Sequence, residues 1–544
     1  MKNKIRKRIL LLVLAGLPLF ANAFERKDLL PNNVEFKFQI NSLSAVRNGI
    51  EKSPFGRLWN DTKFRDFLGC SSDITIWDVL MEDEEESLRP LMKEAFGLFS
   101  GEIIFGVNPD TEEHCALIGI TEKKYKRFLV LNEKILKAQK TPGTIVKSTF
   151  QGIEILKVIE NNEDPAFLAW VNGSCITSPK KEWVEKTIMK LKKEAAKEPK
   201  ANAKIVLSYS VSTILQNKPN MSEKNRRIYD ALGLLGVRNI ALSIDFQEDR
   251  LVFDGKLDVV DLHKGLFTLL DTQPSPLPKV PFIPKNIYTF DIERINIPSF
   301  WKELPNIMTD IDPTILMQFN MGLQMIRQNF GIDIEQDIIN HLGTQILSFS
   351  CEGSDTPGGI VALELKNEKA FKKSIETLFA HPALQTELAQ AFDVKTFLEH
   401  TVYSTKEAIS EGKSVAFTFV DGYFVYGMTE QVRNVIRTSN LAKGASNYES
   451  APLIQSLVSK IPPNAFGYLL IDMKKYLALL ADNFQDPIMN SVLTEAFREI
   501  DSEVLDIQSS KLPSGDYFAS FFKVLYGYSE PSPTGLHSRF ILEY

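Results

Sequence analysis

The chain has 544 residues, 44% of them hydrophobic and 24% charged, with a formal net charge of −6. That balance is ordinary for globular structure and allows more than one domain, while the acid excess argues against nucleic acid or an anionic membrane surface as partner, both of which demand concentrated Lys and Arg. Six histidines and four cysteines, with no CxxC and no pair at ligand spacing, leave zinc without support.

In chain order, residues 1–23 come first: Lys2, Lys4, Arg6, Lys7 and Arg8, an apolar run from Ile9 to Phe20, then Ala21-Asn22-Ala23. This is the pattern of a secretory signal peptide cleaved after Ala23. The run is broken by Gly16 and Pro18 and is shorter than the ~20 residues of a membrane span. Removal takes away five cations and no acid, so the net charge falls from −6 to −11. Phe24, not Cys, follows, so no lipid anchor is indicated. The expected location is the periplasm or the cell exterior, with no transmembrane segment in the mature chain.

The phrase LPNNVEFKFQIN (30–41) alternates Val34, Phe36, Phe38 and Ile40 with Glu35, Lys37 and Gln39, which predicts a strand with one apolar face. The same phrase, Pro-x-Asn running into an apolar strand, returns as IPKNIYTFDIER (283–294) and PPNAFGYLLIDM (462–473), and more loosely before IVLSYS at Asn202. Eight residues after the asparagine stand Asn41, Asp472 and Ser210, short polar residues suited to capping a helix. Arg294 departs from this rule, and Asn296 is the expected cap there. KSPFGRLWND (52–61) predicts a helix capped by Ser53 with Pro54 at its first position, and Phe55, Leu58 and Trp59 on one face. Trp59 fits core packing better than ligand stacking.

The acidic run 82–86 reads as a solvated helix start and not as a calcium site, because consecutive acids on a helix diverge. ALIGITEKKYKRFLVLNEKIL (from Ala116) predicts a strand and an amphipathic helix, and FLAWVNGSCITSPKKEWVEKTI (from Phe167) two strands joined by Asn172-Gly173, a type I′ hairpin turn. Cys115 and Cys175 lie on these strands and are the pair for which a disulfide is first expected; Cys70 and Cys351 complete the set, and buried thiols are the alternative. KKEWVEKTIMKLKKEAAKEPK (180–200) mixes eight lysines with acids around an apolar stripe of Trp183, Ile188 and Leu191, as an exposed helix face does.

Beyond DRLVFDGKLDV (from Asp249) lies DTQPSPLPKVPFIPK, whose five prolines forbid helix and central strand and predict an extended connector. Elements then recur in the same order. IVALELKNEKAFKKSIETLF (from Ile360) parallels the stretch from Ala116, VAFTFVDGYFVYGMTEQVRNVI (from Val415) with Asp421-Gly422 parallels that from Phe167, and the terminal GLHSRFILEY parallels DRLVFDGKLDV. The expectation is an α+β fold of antiparallel sheets with helices packed on them, in two tandem copies: residues 24–272, a proline-rich linker 273–284, and residues 285–544.

The chemistry is sparse. Gly-x-Ser-x-Gly is absent. The glycine-rich CEGSDTPGG (351–359) lies between two strands and lacks the Lys-Ser/Thr of a phosphate loop. No catalytic, cofactor-binding or metal-binding residue is assigned and no cofactor is expected; a hydrolase using acids with His341 or His400 remains the least favoured reading. The 36 phenylalanines could fill two cores or line an apolar cavity.

Leu30-Pro31 with its strand, the Ser-Pro-x-x-x-Leu-Trp helix at 53–59, the Lys-x-Phe helix and the Asp-Gly-Tyr hairpin at 421–423 resemble exported bacterial proteins grouped under a domain of unknown function. Thr62 stands where that pattern often has proline. The resemblance implies export and brings no catalytic residues. Together these readings point to a non-enzymatic binding or assembly protein of the cell envelope, acting on an unknown protein or envelope component, with a carrier of an apolar ligand as the alternative.

Overall fold

The structure, a computed structural model, describes residues 29–30, 34–70, 87–108, 113–138, 144–159, 165–193, 202–211, 221–351, 359–407, 414–442, 448–484, 511, 513–532 and 534–544. The leader at 1–23, the acidic run 82–86, most of the glycine-rich loop and the end of the lysine-rich stretch lie outside them.

The order of elements is β1 (Phe36–Ile40), α1 (Leu43–Lys52), α2 (Pro54–Asn60), α3 (Thr62–Leu68), α4 (Arg89–Gly97), β2 (Ile103–Asn108), β3 (Glu113–Gly119), α5 (Glu122–Ala138), β4 (Thr144–Phe150), β5 (Ile153–Ile159), β6 (Ala166–Val171), β7 (Ser174–Ser178), α6 (Lys181–Lys193), β8 (Lys204–Tyr209), α7 (Glu223–Ala231), β9 (Val237–Phe246) and β10 (Arg250–Val259). There follow β11 (Ile287–Arg294), α8 (Ile297–Ile311), α9 (Pro313–Phe330), β12 (Leu342–Cys351), β13 (Ile360–Leu365), α10 (Glu368–Ala380), α11 (Pro382–Ala391), β14 (Phe392–Phe397), β15 (His400–Thr405), β16 (Val415–Val420), β17 (Tyr423–Met428), α12 (Thr429–Ala442), α13 (Pro452–Leu457), β18 (Gly467–Asp472), α14 (Met473–Phe484), α15 (Gly515–Ala519), β19 (Val524–Ser532) and β20 (Gly535–Glu543). The fold class is α+β, and every strand pair is antiparallel.

The strands form one continuous sheet. From the edge at β4 the order is β4-β5-β6-β7-β3-β2-β1-β8-β9-β10. It continues across β10–β20 through β20-β19-β18-β11-β12-β13-β17-β16-β15-β14. Read inward from its own edge, each side has the same order, with every strand number raised by ten. The central pair β10–β20 runs from Arg250↔Glu543 to Asp258↔Gly535, so the halves meet edge to edge and an unpaired edge of each is removed.

Helices cover both faces. On the first half, α6 buries Trp183, Val184, Ile188 and Leu191 against Ile104, Cys115, Leu117 and Ile176, while its lysines stay outside. The opposite face packs Tyr125 and Phe128 of α5 on Ile120, Cys175 and Trp170. On the second half, α12 and α13 cover one face, and Phe371, Ile375 and Phe379 of α10 join Tyr403, Phe417, Phe419 and Phe424 on the other. Phenylalanine is thus largely core material. The proline-rich stretch has neither helix nor strand beyond an isolated Ser275–Ala465 bridge, and it builds core: Val280, Phe282 and Ile283 are fully buried. Phe282 lies 5.4 Å from the ring of Tyr423, and burial of such a side chain contributes ~2–3 kcal/mol.

The punctuation residues behave as the chemistry dictates, with two departures. Ser53 accepts from Gly56 N–H with Pro54 first in α2, Asn296 accepts from Ser299 N–H at 3.0 Å, and Asp472 accepts from Lys475 N–H at 3.2 Å. Ser42, not Asn41, caps α1; Asn41 instead donates to Asn202 Oδ1. Phe55 leaves the core face and is exposed, touching Phe522 edge-on. Both predicted hairpins have the positive φ pairs of type I′ turns: 47° and 79° at Asn172-Gly173, 48° and 85° at Asp421-Gly422.

Each half also reaches across to the other. Tyr517 of α15 donates to Asp61 at 2.6 Å and Phe518 meets Phe64. Elsewhere Asn296 N–H donates to Leu269 O at 2.8 Å.

Candidate functional site

Strand β11 alternates by the two-residue period of a pleated sheet. Phe290 and Ile292 enter the core, while Thr289 and Asp291 face the other way. On that second face Thr289 lies opposite Ser350 and Asp291 opposite Ser348 of β12, with Ile471 and Leu469 of β18 on their other flank. Helix α14, started by the Asp472 cap, sets Tyr476, Leu479 and Leu480 over this floor at the three- and four-residue spacing of one helix face. Between floor and helix is a cavity of about 320 Å³. A Cβ on Gly359 at its rim would come within 2.9 Å of Phe349 O and 3.2 Å of Ser350 Oγ, so glycine keeps that corner clear.

Among the described residues Asp291 is the one charged side chain lining the cavity. Its carboxylate makes no hydrogen bond or ion pair among the described residues. Burial, and then the like charge of Glu293, push its pKa from 3.8 to about 6. A half-buried acid without a partner among the described residues stabilises nothing by itself, so a structural role leaves it unexplained.

The equivalent place in the first half is built differently. There β1 pairs with β2 as Phe36↔Val107 and Phe38↔Phe105, against Thr289↔Ser350 and Asp291↔Ser348. The β8 partners of Phe36 and Phe38 are Tyr209 and Leu207, where β18 has Ile471 and Leu469. Four apolar side chains, three of them phenylalanine, thus hold the positions taken in the second half by two serines, a threonine and an aspartate.

The residues weighed for chemistry from the sequence are scattered. His400 Nδ1 lies 2.9 Å from Phe419 O, and His341 ends a short helical turn before β12; neither ring is paired with a carboxylate. Two other histidines do meet acids: His263 Nδ1 is 3.8 Å from Asp271 at the exposed surface, and at the central seam His537 Nδ1 is 3.0 Å from Glu530 and Nε2 3.4 Å from Asp254. Asp254 also accepts from Arg539 Nε at 2.6 Å. Both imidazole nitrogens are engaged by carboxylates, so the ring has no free nitrogen to activate a nucleophile; the cluster staples β10 to β19 and β20. Trp59 packs beside Phe67 and Cys70 in a small apolar cluster, as core packing required.

The expected Cys115–Cys175 disulfide is corrected by the register. On β3, Cys115 shares a face with Leu117, under α6; Cys175 lies opposite Ile118, whose face is the one under α5. The two sulfurs are on opposite sides of the sheet and cannot bond. All four cysteines are free thiols, and burial raises Cys115 and Cys175 to about 12, which makes them poor nucleophiles. Among the described residues no three His, Cys, Asp or Glu side chains converge to hold a metal ion, and no helix is long and apolar enough to cross a membrane.

Residues 122–502 match a family described as "Protein of unknown function (DUF3352)". The chain belongs to that family. The match includes β11, β12, β18 and α14, hence the whole cavity, while the Leu-Pro strand and the Ser-Pro helix lie before it. No curated protein matches the sequence. Among solved structures, "Structure of crystal form III of TP0453" is similar at 8% identity, covering 45% of this chain and 81% of that one, with a TM-score of 0.24. "Structure of crystal form IV of TP0453" gives 0.25 over the same shares. Neither value supports a conclusion about fold or function.

Proposed function

We propose that this is an exported, non-enzymatic binding protein, built from two tandem copies of one α+β unit, whose second copy has opened a seat for a small apolar ligand over Asp291. The observation that carries the reading is the exchange at matching positions of the sheet: Phe36, Phe38, Phe105 and Val107 on one side, Thr289, Asp291, Ser348 and Ser350 on the other. Duplication is supported by the repeated ten-strand order and by the recurrent phrases, with units at 24–272 and 285–544 joined through 273–284. Export is supported by the leader-like residues 1–23. A binding role is favoured over catalysis because no nucleophile, base and orienting group converge among the described residues. Of the two binding readings, carriage gains over assembly because a cavity near 300 Å³ is at the size where small-molecule sites begin.

Native mass spectrometry of the mature protein, gently purified from the envelope of its own host, tests this. Bound small-molecule mass is expected on the wild type and not on Asp291→Phe/Ser348→Phe, which restores the first half's residues. A clean unliganded mass for the wild type, or unchanged bound mass on the filled variant, overturns the reading.

A further inference from the structure

Resting on that reading, the chemistry of the lining narrows the ligand class. We infer that the seat over Asp291 takes a small molecule with an apolar body and a primary ammonium head. Leu469, Ile471, Leu479 and Leu480 form the apolar part of the lining and would hold a hydrocarbon body. The polar part lies mainly on the floor, where Thr289, Ser348 and Ser350 flank the carboxylate of Asp291, with the phenol of Tyr476 added from α14. Among the described residues no Lys, Arg or His lines the cavity, so the described lining has a negative charge and hydroxyl acceptors with no cation to match.

An ammonium group supplies what is missing: one positive charge and three donors. One donor meets the Asp291 carboxylate in a charge-assisted hydrogen bond, and the others reach the floor hydroxyls. A carboxylate-headed ligand would instead add a like charge close to Asp291 and Glu293, and a neutral alcohol would leave the aspartate uncompensated. Size is consistent. At ~30 Å³ per water the cavity has the volume of roughly ten waters, enough for a short alkyl chain but not for a phospholipid. The first half makes the contrast: Phe38, in the place of Asp291, offers no charge to a cation.

The test is isothermal calorimetry on the full mature chain at pH 7.5 with three probes of one length: hexylammonium, hexanol and hexanoate. Hexylammonium is expected to bind at least tenfold more tightly than hexanol, with hexanoate weakest. In Asp291→Asn the preference for hexylammonium over hexanol should vanish while hexanol affinity is retained, a control that the cavity is intact. Equal affinities of hexylammonium and hexanol for the wild type, or a preference surviving in Asp291→Asn, overturn the ammonium assignment and leave the apolar seat standing. Failure of all three probes to bind at millimolar concentration overturns the seat itself.

Discussion

Replacing Asp291 by Asn should make the unliganded protein more stable at neutral and alkaline pH, an unusual outcome for removing a charge from a folded protein. Burial and Glu293 hold the folded-state pKa at about 6, above the ordinary 3.8; Tyr288 and Tyr476 are the other titratable groups of the lining. Below pH 4 the acid is neutral in both states and contributes no difference. Between pH 4 and 6 the folded state binds more protons than the unfolded one, so stability falls as pH rises, and above pH 6 the whole penalty is present. Taken at face value a shift from 3.8 to 6 corresponds to ~3 kcal/mol; screening of a half-buried group reduces this to ~1–2 kcal/mol. Urea denaturation of wild type and Asp291→Asn at pH 4, 6 and 8 measures it. Asp291→Asn should be the more stable protein by ~1–2 kcal/mol at pH 8, with the gap closing toward pH 4. A variant equal to or less stable than wild type at pH 8, or a gap that widens toward acid, refutes the assignment of Asp291 as a partnerless acid in the cavity.

Three further outcomes follow from the geometry. Gly535→Ala should destabilise by at least ~2 kcal/mol, because its φ is +153° and a Cβ would lie 1.9 Å from Leu257 O in the central pair; the loss should appear as faster hydrogen exchange in β10 and β20, and an unchanged melting temperature would contradict the seam. Glu399→Gly should stabilise by ~0.5–1 kcal/mol, since Leu398 and Glu399 hold φ of 44° and 71° in the β14–β15 turn without a glycine; a lowered denaturation midpoint would argue against that turn. A thiol reagent should reach half-buried Cys351 before the three buried cysteines and should count all four after denaturation without reductant. A count of two in the denatured, unreduced chain would mean that a disulfide exists after all.

Some of this was legible from the residues because local chemistry decides it. Asn172-Gly173 and Asp421-Gly422 had to be tight turns, since few residue pairs tolerate two consecutive positive φ values, and Ser53-Pro54 had to begin a helix. Leu398-Glu399 makes the same kind of turn and was invisible, for neither residue favours that conformation: sheet pairing on both sides imposes it. The cysteines failed for a related reason. Which face a strand residue occupies depends on parity, and parity relative to a neighbour is known only once β3 and β7 are in register. Glu35 and Gln39, read as the polar side of β1, are buried, because the surface they face is packed under the first half's core.

The cavity was half hidden. The shared Pro-x-Asn of IPKNIYTFDIER and LPNNVEFKFQIN puts Asp291 against Phe38. The exchange carried no meaning until β12 and β18 placed Ser348, Ser350 and Leu469 beside it. Helix α9 escaped altogether. Arg327 is its one charged residue, none of its side chains is buried, and Met317, Met321 and Met325 are each more than half exposed, so neither a polar nor a core face marked it in advance.

An electron-density map of the protein, purified from its own host without added ligand, bears most directly on the claim that the second half has opened a binding seat. Density for a small molecule between the β11–β12–β18 floor and α14, with a polar end on the Asp291 carboxylate, is the predicted result. A cavity closed by the protein's own side chains, with Asp291 turned to solvent, would contradict it.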